Sequence, residues 1–395
     1  MSSTTIYYLG SFLVQYVIIW HITLKTDSGI MMTISTMCGF LPQMFISLFA
    51  GVWADRYDRR KLMATAFITN AFASLVLAIL YTTGFDYIWL LFVYSIIRSA
   101  CTGISTPAAN ALLPSLVPNE DLIKINGFNG TIFSVIQLLS PVLGGLLLGL
   151  FPIGPIFFTC VLTTIISIAV LYKVNIPPVV EKHESEQKSV LHDLKMGFIY
   201  VKEHHFLKSI LTFYAFLMFF IVPSSSLTPL QIKRSFNGGV TELTIIEVAF
   251  GVGAVVGGIL LSYTGGFKNR IRSISIASVL FGIYSLLLGS AGNFVIYCIV
   301  MVILGVTVPF YSSPTVTTIQ QSVEPDKLGR VMSFYGIIAS AAIPVGMMVF
   351  GPLADLIKIE YLMLGSGIAL IIVGLLMFKS KNLNGHHVVQ IEEAS

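Results

Sequence analysis

Charged residues are scarce in this chain of 395 residues, and their scarcity excludes most soluble architectures. Asp, Glu, Lys and Arg together make up 11% of the residues, whereas an ordinary soluble domain carries about 25%. Hydrophobic residues reach 55%, and the mean hydropathy is +0.86. So few charged side chains cannot cover the surface of a soluble protein of this length. The composition therefore predicts a protein that crosses a membrane many times.

Cysteine is also rare, and motifs for catalysis or cofactor binding are missing. All four cysteines fall inside apolar segments, where we expect small hydrophobic residues rather than disulfides or metal ligands: Cys38, Cys101, Cys160 and Cys298. No G-x-x-x-x-G-K-[ST] phosphate-binding loop occurs, and the pairs His204–His205 and His386–His387 have no matching catalytic or metal-binding residues. We therefore expect no enzyme activity, no cofactor and no metal. The net charge of +4 gives no indication of a nucleic-acid partner.

Twelve apolar segments are long enough to cross a bilayer, for which a helix needs about 20 residues. They are 6–24, 30–52, 62–83, 87–110, 127–150, 154–173, 207–231, 242–264, 272–291, 294–317, 331–353 and 359–378. If the N-terminus is inside the cell, every Lys and Arg is cytoplasmic except Arg98, which lies within a span, and four residues of outer loops: Lys25, Lys233, Arg234 and Lys358. Because Lys and Arg beside a span resist translocation, this asymmetry predicts that both termini are cytoplasmic. The first residues have neither a basic segment nor a cleavage site, so we expect no removable signal peptide.

A long polar segment divides the spans into two groups of six. The sequence predicts a six-helix bundle over residues 1–175, a cytoplasmic linker over 176–206, a second six-helix bundle over 207–380 and a cytoplasmic tail over 381–395. Within the linker, apolar residues recur at helical spacing among charged ones, which indicates an amphipathic helix lying at the membrane surface: Val190, Leu191, Leu194, Phe198 and Val201.

The two halves also repeat weakly. Pro107 and Pro118 flank the inner end of the fourth span, and Pro314 and Pro325 flank the tenth at the same separation. Parallel repeats of six spans around a central cavity are typical of secondary carriers. The predicted fold is therefore an all-α integral membrane protein made of two pseudo-symmetric six-helix bundles.

A cluster of charged residues between the second and third spans follows the pattern G-x-x-x-D-R-x-x-R-R. It reads Gly51-Val-Trp-Ala-Asp55-Arg56-Tyr-Asp58-Arg59-Arg60-Lys61. A plain topology anchor would account for the positive charges, but not for the placement of Gly51 and Asp55 before Arg56. The pattern resembles the loop 2–3 motif of the major facilitator superfamily of secondary transporters.

Two charged side chains lie clearly within the hydrocarbon. Arg98 is near the middle of the fourth span, where a charge costs about 2.5–3.5 kcal/mol, so it is expected to face the bundle interior and meet an acceptor. If backbone carbonyls or Gln15 are the acceptors, Arg98 has a structural role. If Arg98 lies on the proton or substrate path, its role is functional. Glu247, in the eighth span, either pairs with another group or carries a proton during transport.

Together these features resemble the drug:proton antiporter branch of the major facilitator superfamily, across nearly the whole chain. In the fifth span, Ser140-Pro141-x-x-Gly144-Gly145 is similar to the antiporter motif, with Ser140 where that motif usually has Gly. Asp58 stands where the loop motif prefers Gly, as is common in the macrolide-efflux-like subgroup. Four further segments resemble bacterial macrolide efflux proteins: Gly39–Pro42, Leu113–Pro118, Ile246–Phe250 and Leu304–Ser312.

The resemblance implies a major facilitator fold and a monomer in the plasma membrane that exports lipophilic, macrolide-like drugs by alternating access in exchange for protons. It implies that Asp55 with Arg56, Arg59 and Arg60 latches loop 2–3 to the eleventh span, and that Gly51 allows the close approach. Arg98 and Glu247 would be the polar parts of the proton or substrate path, with Gln15 beside them.

Two other functions remain open. The chain could be a carrier of the same fold for a physiological substrate such as a siderophore, a peptide or a lipid. Family members also begin with a basic segment and further residues before the position of Ser11, whereas here no Lys or Arg precedes Lys25. That difference leaves a truncated, transport-inactive membrane protein as the third hypothesis.

Overall fold

The structure, a computed structural model, describes residues 2–116, 121–173, 190–267 and 269–384, and those residues form helices joined by short connections. The helices are α1 (Ser2–Thr26), α2 (Gly29–Arg56), α3 (Arg59–Thr82), α4 (Ile88–Leu116), α5 (Leu122–Leu150), α6 (Ile153–Lys173), α7 (Val190–Glu203), α8 (His205–Phe220), α9 (Val222–Ser226), α10 (Thr228–Phe236), α11 (Val240–Thr264), α12 (Arg270–Ser290), α13 (Phe294–Gln321), α14 (Pro325–Leu356), α15 (Ile359–Lys379) and α16 (Lys381–Asn384). The all-α fold class is thereby confirmed. Residues 174–189, which include the start of the predicted linker, and residues 385–395 of the predicted tail lie outside the described ranges.

Eleven helices within these ranges are long and apolar enough to cross a membrane, and α8 is a shorter apolar helix. Many large apolar side chains are exposed on these helices, including Phe45, Phe49 and Phe72. In water such apolar surfaces would associate. In a bilayer they can remain exposed, because lipid tails are as apolar as the side chains. Eleven of the twelve predicted spans each lie within one helix or extend beyond it by a single residue.

The seventh predicted span, 207–231, is divided among α8, α9 and α10 rather than forming one helix. Pro223 and Pro229 lie in the first turns of α9 and α10. A proline has no amide hydrogen and clashes with the preceding turn, so it is tolerated at the start of a helix and interrupts one elsewhere. The prolines therefore fix where this span is interrupted.

The chain divides into two compact units. The first contains Met1–Asp27, Met31–Ser185 and Gly238–Thr244, and the second contains Ser28–Ile30, Glu186–Asn237 and Ile245–Ser395. In the first unit, α3 packs against α4 and α6, and α1 packs against α5 and α6. Its core includes Val14, Leu77 and Phe157, which are almost fully buried. These contacts hold α1 and α4 in fixed positions.

In the second unit, α12 packs against α13 and α15 with very close backbone contact. A Cβ built on Gly282 would lie 2.6 Å from the carbonyl oxygen of Gly367, and one on Gly367 would lie 2.8 Å from the carbonyl oxygen of Gly282. No larger residue fits at either position without moving a helix. Small residues of this kind are what bring membrane helices together when no water drives them.

The helix α7, which lies in the predicted linker, belongs to the second unit and packs against α14 and α8. A Cβ on Gly197 of α7 would lie 3.0 Å from the carbonyl oxygen of Arg330. The rings of Phe198 and Phe334 meet edge to face, with centroids 5.8 Å apart. The described part of the linker is therefore attached to the second unit.

Candidate functional site

Arg98 is fully enclosed in the first unit, with 1% of its surface exposed. Its Nη1 donates to Ser11 Oγ over 3.2 Å, which ties α4 to α1. Its Nε has no hydrogen-bond partner among the described residues. The ionisable groups that act on the guanidinium there are phenols and thiols, not carboxylates: Tyr94, Tyr7, Cys160 and Cys101. The buried charge therefore has few acceptors in this conformation.

Gln15 lies close to Arg98 without forming the hydrogen bond that the sequence suggested. A Cβ built on Gly39 of α2 would lie 3.4 Å from Gln15 Nε2 and 3.6 Å from Arg98 Nη2, so all three residues meet at one point. Ser11 is one helical turn before Gln15, on the same face of α1. The sequence analysis missed Ser11, although this spacing could have indicated it.

Glu247 lies in α11 and is half-buried. Its carboxylate makes no hydrogen bond or ion pair with any described residue, and the phenol of Tyr297 on α13 lies within electrostatic range. Tyr297 is itself fully buried and donates to Gln231 Oε1 over 2.9 Å. Gln231 in turn donates to the carbonyl of Leu288 over 2.8 Å. The acid thus lies near a buried polar pair that sequence reasoning did not find.

The antiporter-like motif positions α5 against α1. Ser140 is buried and donates to the carbonyl of Ile136 over 2.7 Å, and Pro141 lies within the continuous helix. A Cβ on Gly144 would lie 3.2 Å from the carbonyl oxygen of Leu13, and one on Gly145 would lie 2.7 Å from Cζ3 of Trp20. The motif therefore packs on the same helix, α1, that carries Ser11 and Gln15.

Arg59 and Arg60 of the loop motif bind backbone carbonyls of other helices of the first unit. Arg59 donates to the carbonyls of Ala54 and Ala111 over 3.0 and 2.7 Å. Arg60 donates to the carbonyls of Leu171 and Tyr172 over 3.1 and 3.3 Å. The last carbonyls of a helix lack intrahelical partners and attract cations. Arg60 therefore fastens α3 to the end of α6, and Arg59 ties it to the last turn of α2 and to α4.

Of the acidic residues and the glycine of the loop motif, the structure describes the side chain of Asp58 and the surroundings of Gly51. The side chains of Asp55 and Arg56 lie outside the described residues. Asp58 caps α3, because its Oδ1 accepts hydrogen bonds from the amides of Arg60 and Lys61 over 2.8 and 3.3 Å. This cap accounts for an aspartate where the broad motif prefers glycine. Around Gly51, no described atom lies within 4 Å of where a Cβ would stand.

The second unit contains a further acidic residue, Asp355, whose carboxylate accepts several hydrogen bonds. Asp355 Oδ1 accepts hydrogen bonds from the amide of Gly29 over 2.7 Å and from Arg234 Nη2 over 2.8 Å. Its Oδ2 accepts from Ser28 Oγ and from the amide of Ile30, each over 2.9 Å. A carboxylate at the positive N-terminal end of a helix is stabilised by the unpaired amides.

Comparison with known proteins finds similar membrane transport proteins along nearly the whole chain. A family model described as transmembrane secretion effector matches residues 2–392. Macrolide efflux protein A of Streptococcus pyogenes is 31% identical over 369 residues, which cover 93% of this chain and 91% of that protein. The staphyloferrin A transporter of Staphylococcus aureus is 23% identical over 367 residues, covering 91% and 89% of the two chains.

Among solved structures, a bacterial homologue of the human lysosomal transporter Spinster is similar, with a TM-score of 0.71 over 95% of each chain. The two sequences are 15% identical. At that identity the likeness shows a common fold and carries no information on the substrate.

Proposed function

This chain belongs to the transmembrane secretion effector family of the major facilitator superfamily, and we propose that it exports lipophilic, macrolide-like compounds across the plasma membrane in exchange for protons. The observation that carries the proposal is its 31% identity, over almost the full length of both chains, to a protein named for macrolide efflux. The chain is a membrane transporter. The compound, the coupling ion and the direction are what the proposal adds.

Arg98 supports a functional role within the membrane. An arginine that only held helices together would be expected to use most of its five donors, because a buried charge is costly unless it is paired and hydrogen-bonded. Here one hydroxyl of α1 accepts from Nη1, and Nε has no described partner. Such a group can gain an acceptor when a substrate or a rearranged helix arrives. We assign Arg98, with Gln15 next to it, to the transport path.

Glu247 is the acid that we assign to proton coupling. Its carboxylate is half-buried in a span and forms no described ion pair, so no cation holds it permanently ionised. Intramembrane acids of this kind are common in proton relays. Exchange of one proton on Glu247 in each cycle would link the proton gradient to export.

The loop motif is assigned to a latch that holds one conformational state. Arg59 and Arg60 attach the loop to its own unit through backbone carbonyls of α4 and α6. In the proposed latch, Gly51, Asp55 and Arg56 belong to a contact that forms and breaks during alternating access. In the proposed architecture, residues 1–175 and 207–380 are the two moving bundles of a monomer, with both termini in the cytoplasm. Ser140, Pro141, Gly144 and Gly145 keep α5 close to α1 as these bundles move.

Export of a siderophore is a second candidate. It is favoured by the similarity to the staphyloferrin A transporter, which also spans nearly the whole chain. At 23% identity this similarity is weaker than that to the macrolide efflux protein.

One experiment tests these functions together. The full chain is expressed in an efflux-deficient bacterial host, and cellular accumulation of radiolabelled macrolides and of siderophores is measured with and without an uncoupler. We expect lower macrolide accumulation that the uncoupler restores, and no such effect in the Arg98→Ala variant. Lower accumulation of siderophores alone would favour the second candidate. Unchanged accumulation of every compound, with the protein present in the membrane, would contradict both and leave a transport-inactive protein.

A further inference from the structure

An apolar groove of about 760 Å³ lies in the second unit between α7, α8 and α14. Five phenylalanines contribute to its walls, namely Phe198, Phe216, Phe219, Phe220 and Phe334. Phe198 and Phe216 are about half exposed, at 52% and 53%, although they lie in the groove. This much apolar surface in a membrane protein implies an apolar occupant or lipid tails, because water would be unfavourable there.

The groove carries positive charge at one end. Lys202, at the end of α7, and Lys208, at the start of α8, are the two charged residues that line it. Both side chains are exposed, and neither forms a hydrogen bond or an ion pair with a described residue. Glu203 is adjacent in sequence but does not line the groove. The two ammonium groups are therefore available to an anion held at this end.

The length of the groove matches one leaflet of a bilayer. Along α8, the lining runs from Lys208 to Phe220, a rise of about 18 Å. Along α14, it runs from Phe334 to Val345, a rise of about 17 Å. Half of the hydrocarbon core of a bilayer is about 15 Å. An acyl chain can thus lie along the phenylalanines while a head group remains at the level of the lysines.

We propose that this groove binds an anionic phospholipid, with its phosphate between Lys202 and Lys208 and one acyl chain along α8 and α14. Under the orientation predicted from the distribution of Lys and Arg, the lipid belongs to the cytoplasmic leaflet. Basic pockets beside spans on this side of a membrane suit anionic head groups. The same two lysines would repel a cationic drug from this end of the groove.

Bound lipid would act on the linker. Because α7 forms one wall of the groove and the two spans form the others, an acyl chain in the groove contacts all three helices. Occupancy would hold the linker helix against the second unit.

Native mass spectrometry of the full chain in detergent tests the proposal. The protein is incubated with an equimolar mixture of palmitoyl-oleoyl phosphatidylglycerol and the corresponding phosphatidylcholine, and the bound lipids are counted. We expect the unchanged protein to retain phosphatidylglycerol in preference to phosphatidylcholine. In Lys202→Gln/Lys208→Gln the ratio of bound phosphatidylglycerol to bound phosphatidylcholine should fall roughly 10- to 30-fold. The matched control is Arg272→Gln/Lys379→Gln, which removes two exposed charges of the same unit that do not line the groove. The control should keep the preference.

A second pair of variants tests the groove itself. Ala215→Trp and Ala341→Trp each fill it while leaving both lysines in place, and both should lose the retained lipid. The smaller changes Ala215→Leu and Ala341→Leu serve if circular dichroism shows that a tryptophan variant does not fold. Equal retention of the two lipids by the unchanged protein would overturn the proposal. So would phosphatidylglycerol retention that survives filling of the groove, or displacement of the lipid by erythromycin.

Discussion

The guanidinium of Arg98 and the hydroxyl of Ser11 are joined by a hydrogen bond of 3.2 Å that links α4 to α1 inside the first unit. The bond is buried, and α1 is packed on its other side by the glycines of the antiporter-like motif. A movement of α1 relative to α4 would therefore change the surroundings of a permanent charge. This relationship connects two groups of residues that are far apart in the sequence.

Arg98→Ala is expected to abolish transport, and Arg98→Lys is expected to restore only part of it. Lysine keeps the charge but lacks the planar guanidinium that can satisfy several acceptors at once. The measurement is macrolide efflux from cells, normalised to the amount of protein in the membrane. Full activity of Arg98→Ala would show that the charge is dispensable and that Arg98 has a structural role at most.

Ser11→Ala should lower transport by about tenfold, because a hydrogen bond to a charged group contributes about 1.5–3 kcal/mol. The matched control is Ser35→Ala, since Ser35 is a buried serine whose hydroxyl has no partner among the described residues. Initial efflux rates of the two variants are compared at equal expression. Equal rates in both variants and the unchanged protein would remove Ser11 from the transport path.

Glu247→Gln should abolish uphill, proton-driven export while preserving drug binding and downhill exchange, because glutamine keeps the shape and hydrogen bonding of the neutral acid. Drug binding and export driven by a pH gradient are measured on one reconstituted preparation. Glu242→Gln is the control on the same helix, where the carboxylate accepts a hydrogen bond from the amide of Gly239 over 2.7 Å. Weakened binding of cationic drugs with normal coupling would instead identify Glu247 as a substrate ligand.

Asp55→Asn should leave the protein in the membrane but slow its cycle severely, since it removes a charge from the proposed latch. The neighbouring change Asp58→Asn should be nearly silent, because asparagine caps a helix as well as aspartate does. Asp58→Ala should cost about 1 kcal/mol of stability through loss of the cap. Efflux rate and thermal stability are measured for all three variants. A normal rate in Asp55→Asn would contradict the latch.

Gly367→Ala should destabilise the second unit and lower its melting temperature by about 2–10 °C. The added Cβ would lie 2.8 Å from the carbonyl oxygen of Gly282, so α12 and α15 must separate. Gly365→Ala on the same helix is the control, because no described atom lies within 4 Å of its Cβ position. Thermal unfolding of the purified protein in detergent compares the two. Equal melting temperatures would show that the helices can shift at little cost.

The helices were the most predictable part of the molecule. A span must satisfy its backbone internally and expose apolar side chains to lipid, so length and hydropathy alone indicate it. The seventh span is the exception. Its average hydropathy indicates a single span, and only the positions of Pro223 and Pro229 indicate where the helix is interrupted.

The candidate site was less predictable, because it depends on contacts between helices. Arg98 could be singled out as a charge in an apolar segment. Only its spacing of one helical turn from Gln15 indicated the described partner, Ser11, which otherwise looks like any other small residue of a span. Likewise, Tyr297 and Gln231 form their hydrogen bond only because α13 and α10 meet. The role of Asp58 was open to prediction, since it directly precedes a helix, as a capping residue does.

The interruption of the seventh span also has a consequence for biogenesis. Alone, α8 has 16 residues and rises about 24 Å, which is less than the roughly 30 Å of hydrocarbon that a membrane-spanning helix must cross. During synthesis, α8 must therefore enter the membrane together with α9 and α10, and this longer segment includes the two prolines. Replacing Pro223 and Pro229 by leucine would ease insertion and remove both interruptions. At these two positions, efficient membrane insertion and a jointed helix favour opposite residues.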